Sequence, residues 1–123
     1  VKRYPEMKFV ACHLLAPSDK DKDKLRQALE VLQFPNLWFD LSSLVHNCRP
    51  DTYPYLKAIE FIRLAKEIVG SEKLMFGTDM PSALKEDVYE HYVGYIDESP
   101  VFTEQEKEQI FYENAYEVYF ANK

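Results

Sequence analysis

The sequence predicts an α/β fold in which parallel strands alternate with helices. Three short apolar runs, at residues 7–15, 37–41 and 73–79, are separated by segments whose apolar residues recur at helical spacing. Near-continuous apolar runs suit strands that are covered on both faces, and strands joined through helices pair in parallel by right-handed crossovers. The chain has 123 residues, of which 46% are hydrophobic, and we expect it to form a single domain over residues 1–123.

The first half of the chain is predicted to contain a strand at residues 7–15, a helix and a second strand. Ser18 is a candidate cap for this helix, and apolar residues then recur at helical spacing at Leu25, Ala28, Leu29 and Leu32. A Phe-Pro-Asn break at residues 34–36 ends the helix, and the second strand follows at residues 37–41. A polar loop that contains His46 is predicted next.

The second half is predicted to contain three helices and one strand. The first helix begins after Pro54, ends before Gly70 and has apolar residues at Tyr55, Ala58, Ile59, Ile62, Ala65 and Val69. The strand at residues 73–79 is closed by Met80-Pro81, because proline cannot continue a buried ladder. Ser82 is expected to open the next helix, and Thr103 and Glu106 form a predicted capping box for the last one.

Composition excludes several classes of function. The net charge of −6 leaves no basic stripe to neutralise phosphates, so we expect no nucleic-acid partner. The apolar stretches of the chain are far shorter than the roughly 18 residues that a membrane-spanning helix needs. We therefore expect no membrane partner and a cytoplasmic location. The two cysteines, Cys12 and Cys48, do not form a C-x-x-C pair and are predicted to be free thiols.

Residues that could carry chemistry lie where the predicted strands end. His13 ends the first strand, Asp40 and Ser42 the second, and Thr78 and Asp79 the third. Because the carboxyl ends of parallel strands meet at one rim, a histidine and two carboxylates are expected there together. This is the placement that a metal site or a general base requires.

Each of these residues also has a structural interpretation. His13 could be a hydrogen-bonded core histidine, and Asp79 could accept backbone hydrogen bonds in the turn before Pro81. Asp40 lies in an apolar run, where an unpaired carboxylate would cost several kcal/mol, so it needs a partner. His46 is predicted to be solvated.

Four segments, in order, resemble one protein family. Residues 4–14 (YPEMKFVACHL), 36–43 (NLWFDLSS), 68–81 (IVGSEKLMFGTDMP) and 103–115, with its TEQEKEQI start and Asn114-Ala115, are similar to motifs of the amidohydrolase-2 family. This family includes aminocarboxymuconate-semialdehyde decarboxylase and related lactonases and decarboxylases. The segment with Gly77-Thr78-Asp79 is the most specific, and the four together span nearly the whole chain.

The resemblance implies that the chain is part of a (β/α)8 TIM barrel, with strands six to eight, their helices and a C-terminal helix. By position, His13 matches a histidine that contacts the metal-activated water or the substrate, and Asp79 matches the aspartate that ligates the metal. The implied activity is that of a metal-dependent hydrolase or non-oxidative decarboxylase acting on a small carboxylated or cyclic substrate. Its implied cofactor is a divalent metal, zinc first and manganese second.

Two departures limit what the resemblance implies. The family has glycines after its histidine, whereas Leu14-Leu15-Ala16-Pro17 follows His13 here and makes the rim bulkier. The first-strand H-x-H pair and the fifth-strand histidine have no counterpart, so we expect this chain to be inactive alone and to have no metal of its own. Unpaired strand edges predict a homo-oligomer or a complementary N-terminal fragment as partner. A non-catalytic interaction module is the alternative function.

Overall fold

Three parallel strands form the centre of the fold in a computed structural model that describes residues 1–18 and 20–121. They are β1 (Phe9–Ala11), β2 (Leu37–Asp40) and β3 (Leu74–Met75), in the order β1-β2-β3. Both pairings are parallel. The predicted α/β class with parallel strands is therefore confirmed, and the carboxyl ends of the strands share one edge of the sheet.

Helices follow each strand and close the chain. In order they are α1 (Lys22–Val31), α2 (Leu44–Asn47), α3 (Leu56–Val69), α4 (Tyr89–Asp97), α5 (Glu104–Glu108), a π-helical segment (Gln109–Glu113) and α6 (Asn114–Tyr119). Short 3-10 turns lie at Cys12–Leu15, Ser71–Lys73 and Ser82–Lys85. Within the described residues, no helix combines the length and the apolar character needed to cross a bilayer.

The core lies between the sheet and the amphipathic helices. Phe39 and Leu41 on β2 and the turn after it are almost fully buried, as are Phe61 and Ile62 on α3. These residues belong to one connected hydrophobic cluster, which also includes Leu29 of α1 and Ile110 of the π-helical segment. Apolar burial of this kind is the main favourable contribution to folding, so β2 and α3 belong to the core that supports the carboxyl ends of the strands.

The first helix begins later than its predicted cap. Asp21, and not Ser18, is the N-cap, and its Oδ1 accepts a hydrogen bond from the backbone N–H of Lys24 at 3.1 Å. The carboxylate also favours this place because the helix N-terminus is the positive end of its dipole. Ser18 Oγ instead accepts from the N–H of Lys20 at 3.3 Å, in the turn that precedes the helix.

The outer strands are shorter than predicted. β1 ends at Ala11 because residues 13–16 have positive φ angles, between 47° and 63°, and cannot continue a β-ladder. β3 ends at Met75, and Phe76 donates its backbone N–H to the carbonyl of Ile110 at 2.9 Å instead of pairing with another strand. The last helix thus contacts one edge of the sheet directly.

Two segments between the strands also differ from the prediction. The predicted polar loop after Ser43 contains the helical turn α2, which forms because Leu44 and Val45 are buried beneath it. The predicted helix from Ser82 is split into a 3-10 turn and α4. The carboxylate of Asp87 lies at this break, where it accepts the N–H of Val88 and contacts His91 Nδ1, both at 2.8 Å.

The predicted capping box of the last helix is confirmed. Thr103 Oγ1 accepts the N–H of Glu106 at 3.2 Å, and the Glu106 carboxylate accepts the N–H of Thr103 at 2.9 Å. Farther along the helix, the buried side-chain amide of Asn114 donates to the carbonyls of Ser71 and Leu74 at 2.8 and 2.7 Å. One amide therefore fixes the C-terminal helix to the strand that carries Asp79 toward the rim.

Replacing Asn114 by alanine should lower the free energy of unfolding by about 2–3 kcal/mol, because two carbonyl groups lose their donors in a buried position. Urea denaturation followed by circular dichroism measures this loss. Glu113→Ala is the matched control on the adjacent, exposed position and should change stability by less than about 0.5 kcal/mol. Equal losses in both variants would show that Asn114 is not an anchor.

Candidate active site

The imidazole of His13 is held at the carboxyl end of β1 by groups from the end of β2. Its Nδ1 lies 2.6 Å from Ser42 Oγ, and its backbone N–H donates to Asp40 Oδ1 at 2.9 Å. His13 has a φ of 60°, in the left-handed region that side chains rarely adopt. The sequence prediction that His13 and Asp40 share one rim agrees with these contacts, although His13 lies in the turn after β1 and not in the strand.

Asp40 has the partners that the sequence predicted it to need. Its Oδ1 accepts the N–H of His13, the N–H of Ser42 at 3.1 Å and the hydroxyl of Ser42. Burial acts to raise the pKa of this carboxyl, but the hydrogen bonds from Ser42, His13 and Cys12 outweigh it, so the pKa is lowered from its ordinary value. Asp40 is thus an ionised, acceptor-only group at the rim.

Asp79 lies in the segment that follows β3, four residues past Met75 and not in the strand as predicted, and it is linked to the end of β2 through a second serine. Ser43 Oγ donates to Asp79 Oδ2 at 2.7 Å. Ser43 and Asp79 have φ angles of 58° and 65°, so both are left-handed, as is His13. Backbone strain of this kind persists only where the surrounding contacts hold it, and it is concentrated at functional sites.

A small polar pocket opens beside Asp79. Its volume is about 100 Å³, and it is lined by Ser43, His46, Thr78, Asp79, Ser82, Ala83, Glu86 and Tyr92. Thr78, which the sequence placed at the rim, therefore lies in the same pocket as Asp79. Tyr92 donates its hydroxyl to the carbonyl of Ala83 at 2.8 Å and closes the pocket from α4.

His46 is exposed, as the sequence predicted, and its ring also lines this pocket. Its Nδ1 lies 2.8 Å from Glu86 Oε1, and its Nε2 lies 3.0 Å from Arg49 Nη2. A guanidinium can only donate, so Nε2 accepts and Nδ1 donates to the glutamate. The sequence carried no signal for this contact because Glu86 lies 40 residues away, in the segment after Asp79.

Cys12 connects the environments of Asp40 and Asp79. The pKa of its thiol is raised by a hydrogen bond to Asp40, then by the charge of Asp40, by burial and, least of all, by the charge of Asp79. Since Cys12 precedes His13 in the chain, the hydrogen bond from its thiol adds to the contacts that Asp40 makes with this turn. The fold therefore brings His13, Asp40, Ser42 and Asp79 to one edge of the sheet.

The described residues at the rim do not by themselves form a complete metal site. Among residues 1–18 and 20–121, no group of three or more His, Cys, Asp or Glu side chains is placed to hold an ion. A catalytic zinc typically has three protein ligands, and the carboxylate of Asp79 would supply one of them. The donors present thus fit a metal only if other ligands come from outside these residues.

The chain belongs to the amidohydrolase family. The model of the family described as "Amidohydrolase" matches residues 1–121, almost the whole sequence. This confirms the family that the four sequence motifs indicated. A comparison with curated proteins found no match.

Solved structures of similar fold include two of an amidohydrolase from Burkholderia multivorans. The structure with bound HEPES has a TM-score of 0.82 and 24% identity, and the one with bound zinc has a TM-score of 0.81 and 25% identity; each comparison covers 96% of this chain. A protein from Pseudomonas putida, provisionally named as a 2-pyrone-4,6-dicarboxylic acid hydrolase, has a TM-score of 0.70 and 16% identity over 90% of this chain. This chain covers 46%, 45% and 42% of the three neighbours, less than half of each.

Replacing Asp40 by asparagine should cost about 1 kcal/mol of stability near neutral pH, because charge-assisted hydrogen bonds become neutral ones. The folded pKa of Asp40 is lowered, so its contribution is present above the unfolded value of about 3.9 and is lost as the pH falls through the folded value. Urea denaturation of both proteins at several pH values should show the difference shrinking below about pH 4. A difference that stays constant over this range would contradict the assignment, and Asp97→Asn on α4 is the control.

Proposed function

We propose that this chain is the C-terminal part of a metal-dependent hydrolase barrel, with β1, β2 and β3 as its sixth, seventh and eighth strands. The observation that carries the proposal is the joint placement of His13 and Asp79 at the same ends of parallel strands. The family match and the coverage of less than half of each neighbour support it. A reaction site at this rim agrees with the general rule for TIM barrels.

The roles proposed for the two residues follow from their chemistry. Asp79 supplies a carboxylate ligand, and Ser43 orients that carboxylate through Oδ2. His13 accepts or returns a proton at the reacting water or substrate from the turn that Asp40 and Ser42 hold. When bound, a divalent metal would lower the pKa of a water and polarise a carbonyl group. The remaining ligands are proposed to come from strands outside this chain.

We favour hydrolysis of a small cyclic or carboxylated substrate over decarboxylation. The Pseudomonas putida neighbour is provisionally named for hydrolysis of a cyclic dicarboxylate, and the Burkholderia multivorans neighbour is described as an amidohydrolase.

Zinc is the proposed metal, since it is bound in one of the neighbours, and manganese is the alternative. A cytoplasmic location stays a prediction.

The last helix carries the feature that favours the second candidate, a non-catalytic interaction module. Tyr112 stacks on Tyr116, and Tyr116 on Phe120, with ring centroids 5.8 and 5.9 Å apart. All three side chains are at least half exposed. Neighbouring exposed aromatic side chains mark an interaction site in many proteins.

We propose that the missing strands of the barrel are the partner of this chain. β1 and β3 are the edge strands, and the neighbours of similar fold contain more than twice the length of this chain. An unpaired strand edge is a template for another strand. Pairing at β1 would bring further ligands to the rim that already carries Asp79.

Zinc binding tests the catalytic proposal. The protein alone should bind zinc weakly, whereas the protein co-purified with a polypeptide that supplies the first five strands should bind about one equivalent. Asp79→Asn should abolish most of this binding because it removes a charged ligand. Asp97→Asn, the same change at an exposed carboxyl on α4, should leave the stoichiometry unchanged.

Two results would contradict this proposal. One is zinc bound equally well by the Asp79→Asn and Asp97→Asn proteins. The other is a coding sequence directly upstream that lacks the H-x-H pair.

Light scattering tests the partner proposal. On size-exclusion chromatography with light scattering, the isolated protein should elute as a dimer or larger species. The complementary polypeptide should convert it to a one-to-one complex, because a second copy and the polypeptide compete for the same strand edge. Replacing Val10 in β1 by proline, which removes a backbone donor and disfavours pairing, should weaken both associations. A sharp monomer peak that does not change when the complementary polypeptide is added would contradict the proposal.

A further inference from the structure

The contacts of Ser42 determine where its single hydroxyl proton lies. Ser42 Oγ lies next to two groups, the carboxylate Oδ1 of Asp40 and the ring Nδ1 of His13. The lowered pKa of Asp40 keeps its carboxylate ionised, so that this group can only accept. The hydroxyl proton of Ser42 therefore points to Asp40, and only lone pairs of Ser42 Oγ face His13.

The lone pairs of Ser42 in turn determine which nitrogen of His13 carries the proton. At 2.6 Å, Nδ1 and Ser42 Oγ are within hydrogen-bond distance, and one of the two atoms must donate. Since the hydroxyl proton already points to Asp40, Nδ1 must be the donor. The neutral ring then has Nε2 as its unprotonated nitrogen.

Burial keeps water from competing with this chain of hydrogen bonds. Ser42 is only 7% exposed, and its backbone N–H also donates to Asp40 Oδ1, at 3.1 Å. His13 Nε2 makes no hydrogen bond within residues 1–18 and 20–121, and the ring is partly exposed. Nε2 is thus the nitrogen that remains available to other groups.

We infer that Asp40 and Ser42 are positioning residues that hold His13 in the Nδ1–H tautomer and leave Nε2 as the proton acceptor at the rim. This inference deepens the proposed function, on which the catalytic use of Nε2 rests. When Nε2 takes a proton from a water or substrate hydroxyl, the ring becomes an imidazolium and still donates Nδ1–H to Ser42. The hydrogen bond to Ser42 then keeps the orientation of the ring while Nε2 carries the added proton.

The tautomer can be read directly in the protein without metal, substrate or partner. In ¹⁵N-labelled protein at a pH where His13 is neutral, long-range ¹H–¹⁵N correlation spectra should show a protonated Nδ1 and an unprotonated Nε2. Free histidine in water prefers the opposite tautomer, so this result would not arise by default. The protein has three histidines, and loss of one set of signals in His13→Gln identifies the ring.

Variants of the neighbouring serines separate positioning from general damage. Ser42→Ala should move the Nδ1 signal of His13 toward the unprotonated value, because the oxygen that accepts the Nδ1–H bond is lost. Ser42→Thr keeps a hydroxyl at this position and should therefore keep the signal of the unchanged protein. Ser43→Ala is the matched control: its hydroxyl contacts Asp79 and not His13, so the His13 tautomer should stay as in the unchanged protein.

An Nε2–H tautomer in the unchanged protein would overturn the inference, and this measurement needs no variant to fold. An Nδ1–H tautomer that persists in well-folded Ser42→Ala would also overturn it. Neither result depends on zinc binding or turnover, so failure of the inference is distinguishable from failure of the proposed function.

Discussion

The carboxylate of Asp40 ties the ends of two strands together, and the arrangement of the rim depends on it. It accepts hydrogen bonds from the backbone of the turn after β1 and from both the backbone and the hydroxyl of Ser42. Three donors on one oxygen offset the cost of placing a charge at the end of a buried strand. Without this acceptor, the left-handed turn that carries His13 would lose the hydrogen bond that joins its backbone to β2.

A second serine continues the same construction from β2 to β3. Ser42 and Ser43 are adjacent in the chain, yet the first contacts His13 and the second contacts Asp79. Because Ser43 has a left-handed φ, its side chain can contact Asp79 while that of Ser42 contacts His13. The middle strand therefore positions the groups on both outer strands, and the anchoring of the last helix by Asn114 holds β3 in place from the other side.

The parallel pairing of the strands and the shared rim could be predicted from sequence because both follow from local patterns. Apolar runs of five or more residues separated by amphipathic helices allow little other than a parallel sheet, and Asp40 in such a run needs a partner. Strand lengths could not be predicted, since the left-handed turn at residues 13–16 has no glycine to mark it. The contact of His46 with Glu86 was hidden for a different reason, because it joins segments that no sequence motif relates.

The central claim is that His13 and Asp79 serve one reaction centre that other strands complete. The most direct measurement is a crystal structure of the protein bound to zinc and to the polypeptide that carries the remaining strands. The account predicts that the carboxylate of Asp79 is a ligand of the metal and that the His13 ring faces the same centre. A metal held without Asp79, or a His13 ring turned away from it, would contradict the account.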